Sequence, residues 1–204
     1  MVQLIKYLLA CLIGYFTGSI APSYFVGKAM MNIDIREHGS GNAGTTNTLR
    51  VLGVKAGVIV FVCDILKGAL AAWIGLKLTN SLLGGMLAGS LAVAGHNWPV
   101  FLNFKGGKGI ASSFGLLLVL FPKIALILFL VEIAVIYFTR YVSLGSIIAS
   151  SLLPFLLIIF REPWELVLLG TILALIAVIR HRDNISRLLK GEENKMGRSG
   201  KRGR

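Results

Sequence analysis

Charge is what this sequence has least of. Charged residues make up 15% of the 204, and the nine Asp and Glu are outnumbered by 21 Lys and Arg. A water-soluble domain carries about 25% charge, spread along the chain. The two cysteines, Cys11 and Cys63, are too few for a disulfide-rich scaffold; one bridge would use both, but both lie inside apolar runs and read rather as small apolar residues. The three histidines have no partner at zinc-ligand spacing, so no metal is expected. Only five prolines interrupt the chain.

What is there instead is apolar and blocked. Hydrophobic residues make up 55%, and mean hydropathy is +0.78. A hydrocarbon core about 30 Å thick takes roughly 20 apolar residues per helix. Seven apolar runs qualify as candidate spans: 4–26, broken by Pro22, then 56–76, 82–95, 110–121, 124–138, 144–160 and 164–179. The first is read as a retained helix rather than a signal peptide. The third and fourth are short, as for tilted helices or helices that end at a cavity. The predicted fold is therefore an all-α integral membrane protein of about seven transmembrane helices. Residues 1–195 form one membrane domain, and 196–204 a basic tail, disordered by composition and in part of the kind that cloning appends.

Alternating loops put Lys28, Arg36, Arg50, Lys55, Lys105, Lys108, Arg140, Arg180 and the C-terminal bases on one side. The other side receives Lys6, Lys77, Lys123 and Arg161. The positive-inside rule then sets the N-terminus outside and the C-terminus in the cytoplasm. Bases placed at span ends also argue against nucleic acid as the partner of the +12 charge.

Three polar segments share the basic side. The first runs from His38 to Arg50 and contains Gly39-x-Gly41-x-x-Gly44. A dinucleotide fingerprint needs a strand before it, and here a membrane helix stands on each side. The glycines still allow backbone N–H groups to converge on an anion. Ser40, Asn42, Thr45, Thr46 and Asn47 add donors, and Arg50 a phosphate-suited charge. The second holds Lys105-Gly106-Gly107-Lys108-Gly109 just before an apolar helix, a phosphate-cradle arrangement without the Walker pattern. Here His96 and Trp98 read as interface anchors. The third is Arg180 to Glu193, where His181 and Asn184 share a helical face. A polar break, Arg140 to Ser143, lies on the same side. Asp64 and Lys67, inside a span, read as a mutual pair, and Glu132 has no evident partner.

These groups point to phosphate chemistry at a membrane surface. A carrier of organic phosphates would want similar groups, but near the midplane. A purely structural basic scaffold leaves three glycine-rich anion motifs without a use.

The three segments, in order, resemble the bacterial acyl-phosphate:glycerol-3-phosphate acyltransferases. The motifs that carry this are Gly39-Ser-Gly-Asn-x-Gly-x-x-Asn47-x-x-Arg50, Lys105-Gly-Gly-Lys-Gly109, and His181-x-x-Asn184-Ile-x-Arg187-Leu with Gly191-Glu192, together with Asp64-x-x-Lys67-Gly68. The resemblance implies transfer of a fatty acyl group from acyl phosphate to the 1-hydroxyl of glycerol 3-phosphate, without cofactor or metal. It implies a monomer in the lipid of the bacterial inner membrane, with its site on the cytoplasmic face. It marks Ser40, Arg50, His181 and Asn184 as catalytic. Asn42, Thr45, Thr46, Asn47, Lys105, Gly106, Gly107, Lys108, Gly109 and Ser143 are expected to bind phosphate. Asp64, Lys67, Arg140 and Glu192 are expected in support. The base is expected to be His181 or a phosphate oxygen of the substrate, with the neighbouring arginines lowering the histidine pKa. No histidine has the Asp five residues on that acyl-CoA-dependent acyltransferases carry: those positions are Ala43, Phe101 and Ser186.

Overall fold

A computed structural model describes residues 1–197; the expected basic tail lies outside the described residues from Arg198 on. Among the described residues ten α-helices follow one another: α1 (Val2–Ser19), α2 (Pro22–Met31), α3 (Thr45–Leu52), α4 (Val54–Thr79), α5 (Leu82–Asn97), α6 (Ile110–Leu120), α7 (Pro122–Thr139), α8 (Val142–Ile159), α9 (Trp164–Arg180) and α10 (Arg182–Leu189). Every apolar run forms a helix. The first is split at Pro22, which opens α2 at a position where its missing N–H costs no hydrogen bond. The two short helices α3 and α10 are polar additions between and after the runs.

Length and composition alone qualify four membrane crossings: Val2–Met31, Val54–Thr79, Pro122–Thr139 and Val142–Ile159. A fifth is added if α9 and α10, bent by 56°, count as one. Helix α6 has 11 residues, and at about 1.5 Å per residue it is too short to cross the core alone. The chain is a multi-pass, all-helical membrane protein among its described residues.

Many large apolar side chains face outward, and small residues line the closest helix contacts. Leu12, Phe16, Leu66, Trp73, Leu130 and Phe155 are exposed, as suits lipid, while Ala10, Ala56, Ala71, Ala88 and Ala92 are fully buried. In lipid, helices associate through close packing rather than the hydrophobic effect. Accordingly, a Cβ at Gly14 or Gly18 would strike the backbone of Ala88 or Ala92, and one at Gly68 would strike that of Ser112. These contacts draw α1 onto α5 and α4 onto α6. Helices α7, α8 and α9 pack in sequence beside them, and α5 touches α9. That last contact brings the second and third polar segments together.

Candidate functional site

The first segment folds around one buried side chain. Asn47, in the first turn of α3, accepts from Ser40 N at 2.8 Å. Its amide donates to Ile35 O at 3.0 Å and to His38 O at 2.9 Å. Gly39 (φ 64) and Gly41 (φ 71) make the bend in the left-handed region, where a Cβ costs most. Asn47 therefore holds the loop, and both ends of its amide are engaged. Ser40 and Arg50 are exposed, and their side chains carry no hydrogen bond among the described residues. Thr45 Oγ is buried without a partner. Arg36 ties the segment to the next, pairing with Asp34 at 2.6 Å and donating to Leu102 O at 2.8 Å. That pairing holds the Asp34 carboxyl below its ordinary pKa.

The second segment is clamped. Gly107 N donates to His96 O at 3.0 Å, so this amide is not open to an anion as the sequence suggested. From the other side Arg180 Nε and Nη2 reach Gly107 O at 3.1 and 2.7 Å, and Nη2 reaches Gly106 O at 3.3 Å. Gly109 (φ 82) turns the chain into α6. The unpaired amides of the first turn of α6 follow directly.

Lys108 is where the segments meet. Its Nζ donates to Asn184 Oδ1. Asn184 Nδ2 donates to Glu193 Oε1 at 2.8 Å, and Ser143 Oγ donates to the same oxygen at 3.2 Å. Arg187 pairs with Glu193 Oε2 at 2.7 Å. Burial, with Arg187 and Arg180 nearby, pushes the Lys108 pKa down to about 8 against the opposing charge of Glu193. His181, also buried, has Nδ1 2.8 Å from Ala177 O. A carbonyl only accepts, so Nδ1 carries the proton and Nε2 offers a lone pair. Burial first, then the Lys108 charge, pushes its pKa to about 4. The direction is the one expected from the sequence, but the leading cause is burial rather than the arginines.

Several expectations need correction. The supporting acid is Glu193, not Glu192, whose side chain is exposed and takes no hydrogen bond among the described residues. Helix α10 ends at Leu189, and the turn beyond it points the later of the two carboxylates back at the helix. Arg140 contributes its main chain: in a left-handed cap (φ 65), its carbonyl accepts from Met196 N at 2.7 Å. Asp64 and Lys67 do pair, at 2.8 Å, but with a third member. His96 Nδ1 lies 3.2 Å from Asp64 and 2.8 Å from Lys67 Nζ. His96 is thus buried rather than an interface anchor. Lys67 also donates to Ile20 O at 2.9 Å, a carbonyl released by the break between α1 and α2. Glu132 accepts from Ser146 at 2.7 Å and borders a cavity of about 50 Å³, lined also by Phe114, Leu128, Leu153 and Ala177. Ala177 places that cavity one helical turn inside His181.

With this arrangement in view, residues 8–191 match the family described as glycerol-3-phosphate acyltransferase. The chain belongs to that family. It is 48% identical over 189 residues to the glycerol-3-phosphate acyltransferase of Thermoanaerobacter sp. (strain X514), covering 93% of this chain and 95% of that one. To the enzyme of Alkaliphilus metalliredigens (strain QYMF) it is 46% identical, covering 94% and 96%. Among solved structures it is similar to PlsY (YgiH), an integral membrane glycerol 3-phosphate acyltransferase. The glycerol 3-phosphate form gives a TM-score of 0.89 at 38% identity, covering 94% of this chain and 96% of that one. The lysophosphatidic acid form gives 0.86 at 37%, covering 94% and 95%.

For a member of this acyltransferase family, the residues missed from sequence are Glu193, Arg180 and His96. Glu193 had one signal: an acid beside a basic segment that needs a counter-charge. Arg180 adjoins the motif histidine. His96 had none, because matching its depth to Asp64 takes the packed α4–α5 pair.

Proposed function

We propose that this protein transfers a fatty acyl group from acyl phosphate to the 1-hydroxyl of glycerol 3-phosphate, giving lysophosphatidic acid and inorganic phosphate. The family membership supports the acceptor. The observation that carries the reading is Lys108, set at the start of α6 and fixed by Asn184. This is an anion site assembled from two distant segments. Lys105, Gly106, Lys108, Gly109 and Ser143 are assigned to it. Gly107 and Asn47 shape loops and do not touch phosphate. Ser40, Asn42, Thr45, Thr46 and Arg50 are assigned to the second phosphate. Seven spans, with α6 a short one that ends at a cavity rather than crossing the full core, the N-terminus outside and the site on the cytoplasmic face of the bacterial inner membrane accord with the side-to-side imbalance of basic residues. The chain acts as a monomer.

Acyl phosphate is a mixed anhydride and needs no further activation. The glycerol hydroxyl oxygen attacks the acyl carbon, and the bond from that carbon to the phosphate oxygen breaks. The phosphate leaves with the electron pair, stabilised by Arg50 and the donors around Ser40, while Lys108 and the α6 amides hold the phosphate of glycerol 3-phosphate. The hydroxyl proton passes to a substrate phosphate oxygen. Phosphate monoesters titrate near pH 6, so they are stronger bases than a histidine held at about 4. His181 Nε2 instead orients the hydroxyl by accepting from it. Holding both substrates in register supplies much of the rate. The cavity beside Ala177 seats part of the acyl chain, which enters sideways from the bilayer.

The test gives purified protein palmitoyl phosphate and glycerol 3-phosphate without CoA or metal. Equal amounts of lysophosphatidic acid and phosphate are expected, abolished in Arg50→Ala. Product from acyl-CoA alone would overturn the donor. His181→Gln is expected to keep measurable turnover; a loss of about 10⁴-fold would restore histidine as the base.

A further inference from the structure

We propose that His96, braced by Asp64 and Lys67, and Arg180 are positioning residues that hold the Gly106–Gly107 backbone between them and so aim Lys108. The proposal rests on the function assigned above. Both ends of Gly107 are fixed from opposite sides. Its N–H goes to the α5 terminus at His96 O, and its carbonyl goes to Arg180 at the α9 terminus. A Cβ added at Gly107 would meet the His96 ring and nothing nearer, so that ring forms the wall the peptide lies against. The ring is fixed in turn from its Nδ1 side by Lys67 and Asp64. A buried ion pair is costly to maintain, and in some proteins it specifies one arrangement. Here the arrangement is the tilt of a ring against a glycine. Arg180 is held in the same way, with its guanidinium 5.6 Å from the centre of the Trp98 ring while its planar fork spans two carbonyls. With Gly106 and Gly107 held, the Lys108 Cα has one position, from which Nζ reaches Asn184. None of these side chains needs to touch a substrate.

A double-mutant cycle tests this, with Gly107→Ala and His96→Ala made singly and together. KM and kcat are measured for each substrate, and thermal unfolding is followed in detergent. Gly107→Ala is expected to lower kcat/KM about a hundredfold, since a displacement of about 1 Å costs that much. His96→Ala alone is expected to cost about tenfold, and adding Gly107→Ala to it less than about threefold, because the obstructing ring is gone. Arg180→Lys keeps the charge but not the fork. It is expected to raise KM for glycerol 3-phosphate about tenfold, with kcat and melting temperature nearly unchanged. If Gly107→Ala costs the same factor in both backgrounds, or Arg180→Lys leaves KM unaltered, the proposal falls. Where His96→Ala does not fold, His96→Asn takes its place in the cycle. If the wild type shows no acyl transfer, the function reading fails separately. The same cycle is then read by calorimetric binding of glycerol 3-phosphate: non-additive affinities support the proposal, and additive ones overturn it.

Discussion

The segments at 38–50 and 105–109 carry similar residues, glycines with donors and a base, yet they are built in opposite ways. The first is held locally, by Asn47 reaching back to its own loop, and leaves Ser40 and Arg50 exposed at its surface. The second is held from afar, by side chains 73 to 76 residues away in α9 and α10. A locally pinned loop can adjust to a ligand while the helices stay still. A loop clamped between helix ends cannot, and its anion site exists before substrate arrives. The difference suggests a division of labour: Lys108 belongs to a preformed phosphate seat, and Ser40 and Arg50 to a side that closes on the second substrate.

The sharpest way to break this comparison is to remove the charge from the clamped side. Lys108→Met is expected to reduce kcat/KM about a thousandfold in the release assay, without loss of melting temperature, as for a lost anion-stabilising donor. Glu193→Gln comes next, since it weakens the acceptor shared by Ser143, Asn184 and Arg187. A fall of about tenfold to a hundredfold is expected, against less than about twofold for Glu192→Gln, which carries the sequence reading.

Much of this was legible without coordinates. The seven apolar runs, the split at Pro22 and the two short members are all present as helices. They were legible because long apolar runs have few alternatives in a membrane. The Asp64–Lys67 pair followed from helical spacing. What sequence could not supply was depth and register between helices. His96 meets Asp64 only because small residues bring α4 and α5 together, and Glu193 rather than Glu192 turns inward because of the turn after Leu189. The availability of amides was equally hidden: Gly107 looked like an anion donor, but its N–H is bonded to His96.

Acidity probes the clamped side more gently. Lys108 is a cation below about pH 8 and loses its proton above. The free site therefore weakens as pH rises, and kcat/KM for the substrate phosphate it holds is expected to fall about tenfold per pH unit beyond 8. Lys108→Arg should move that alkaline limb out of range. A profile flat to pH 10 would show that burial does not lower the Lys108 pKa. The smallest effect on catalysis, and the largest on stability, belongs to Asn47, the side chain that pins the first loop. Asn47→Ala removes the partners of Ser40 N, Ile35 O and His38 O and is expected to cost about 2 kcal/mol of stability. Ser40→Ala should cost almost none while still lowering turnover, which separates pin from participant in one pair of melting curves.

The central claim is that Lys108 and the start of α6 form the preformed phosphate seat. A crystal structure of this protein with glycerol 3-phosphate and a non-hydrolysable acyl phosphate tests it most directly. The account expects a phosphate group within about 4 Å of Lys108 Nζ, with the Gly106–Gly107 backbone unmoved and the loop around Ser40 shifted toward the other ligand. Both phosphates lying on the Ser40–Arg50 side, with Lys108 still bonded only to Asn184, would contradict it.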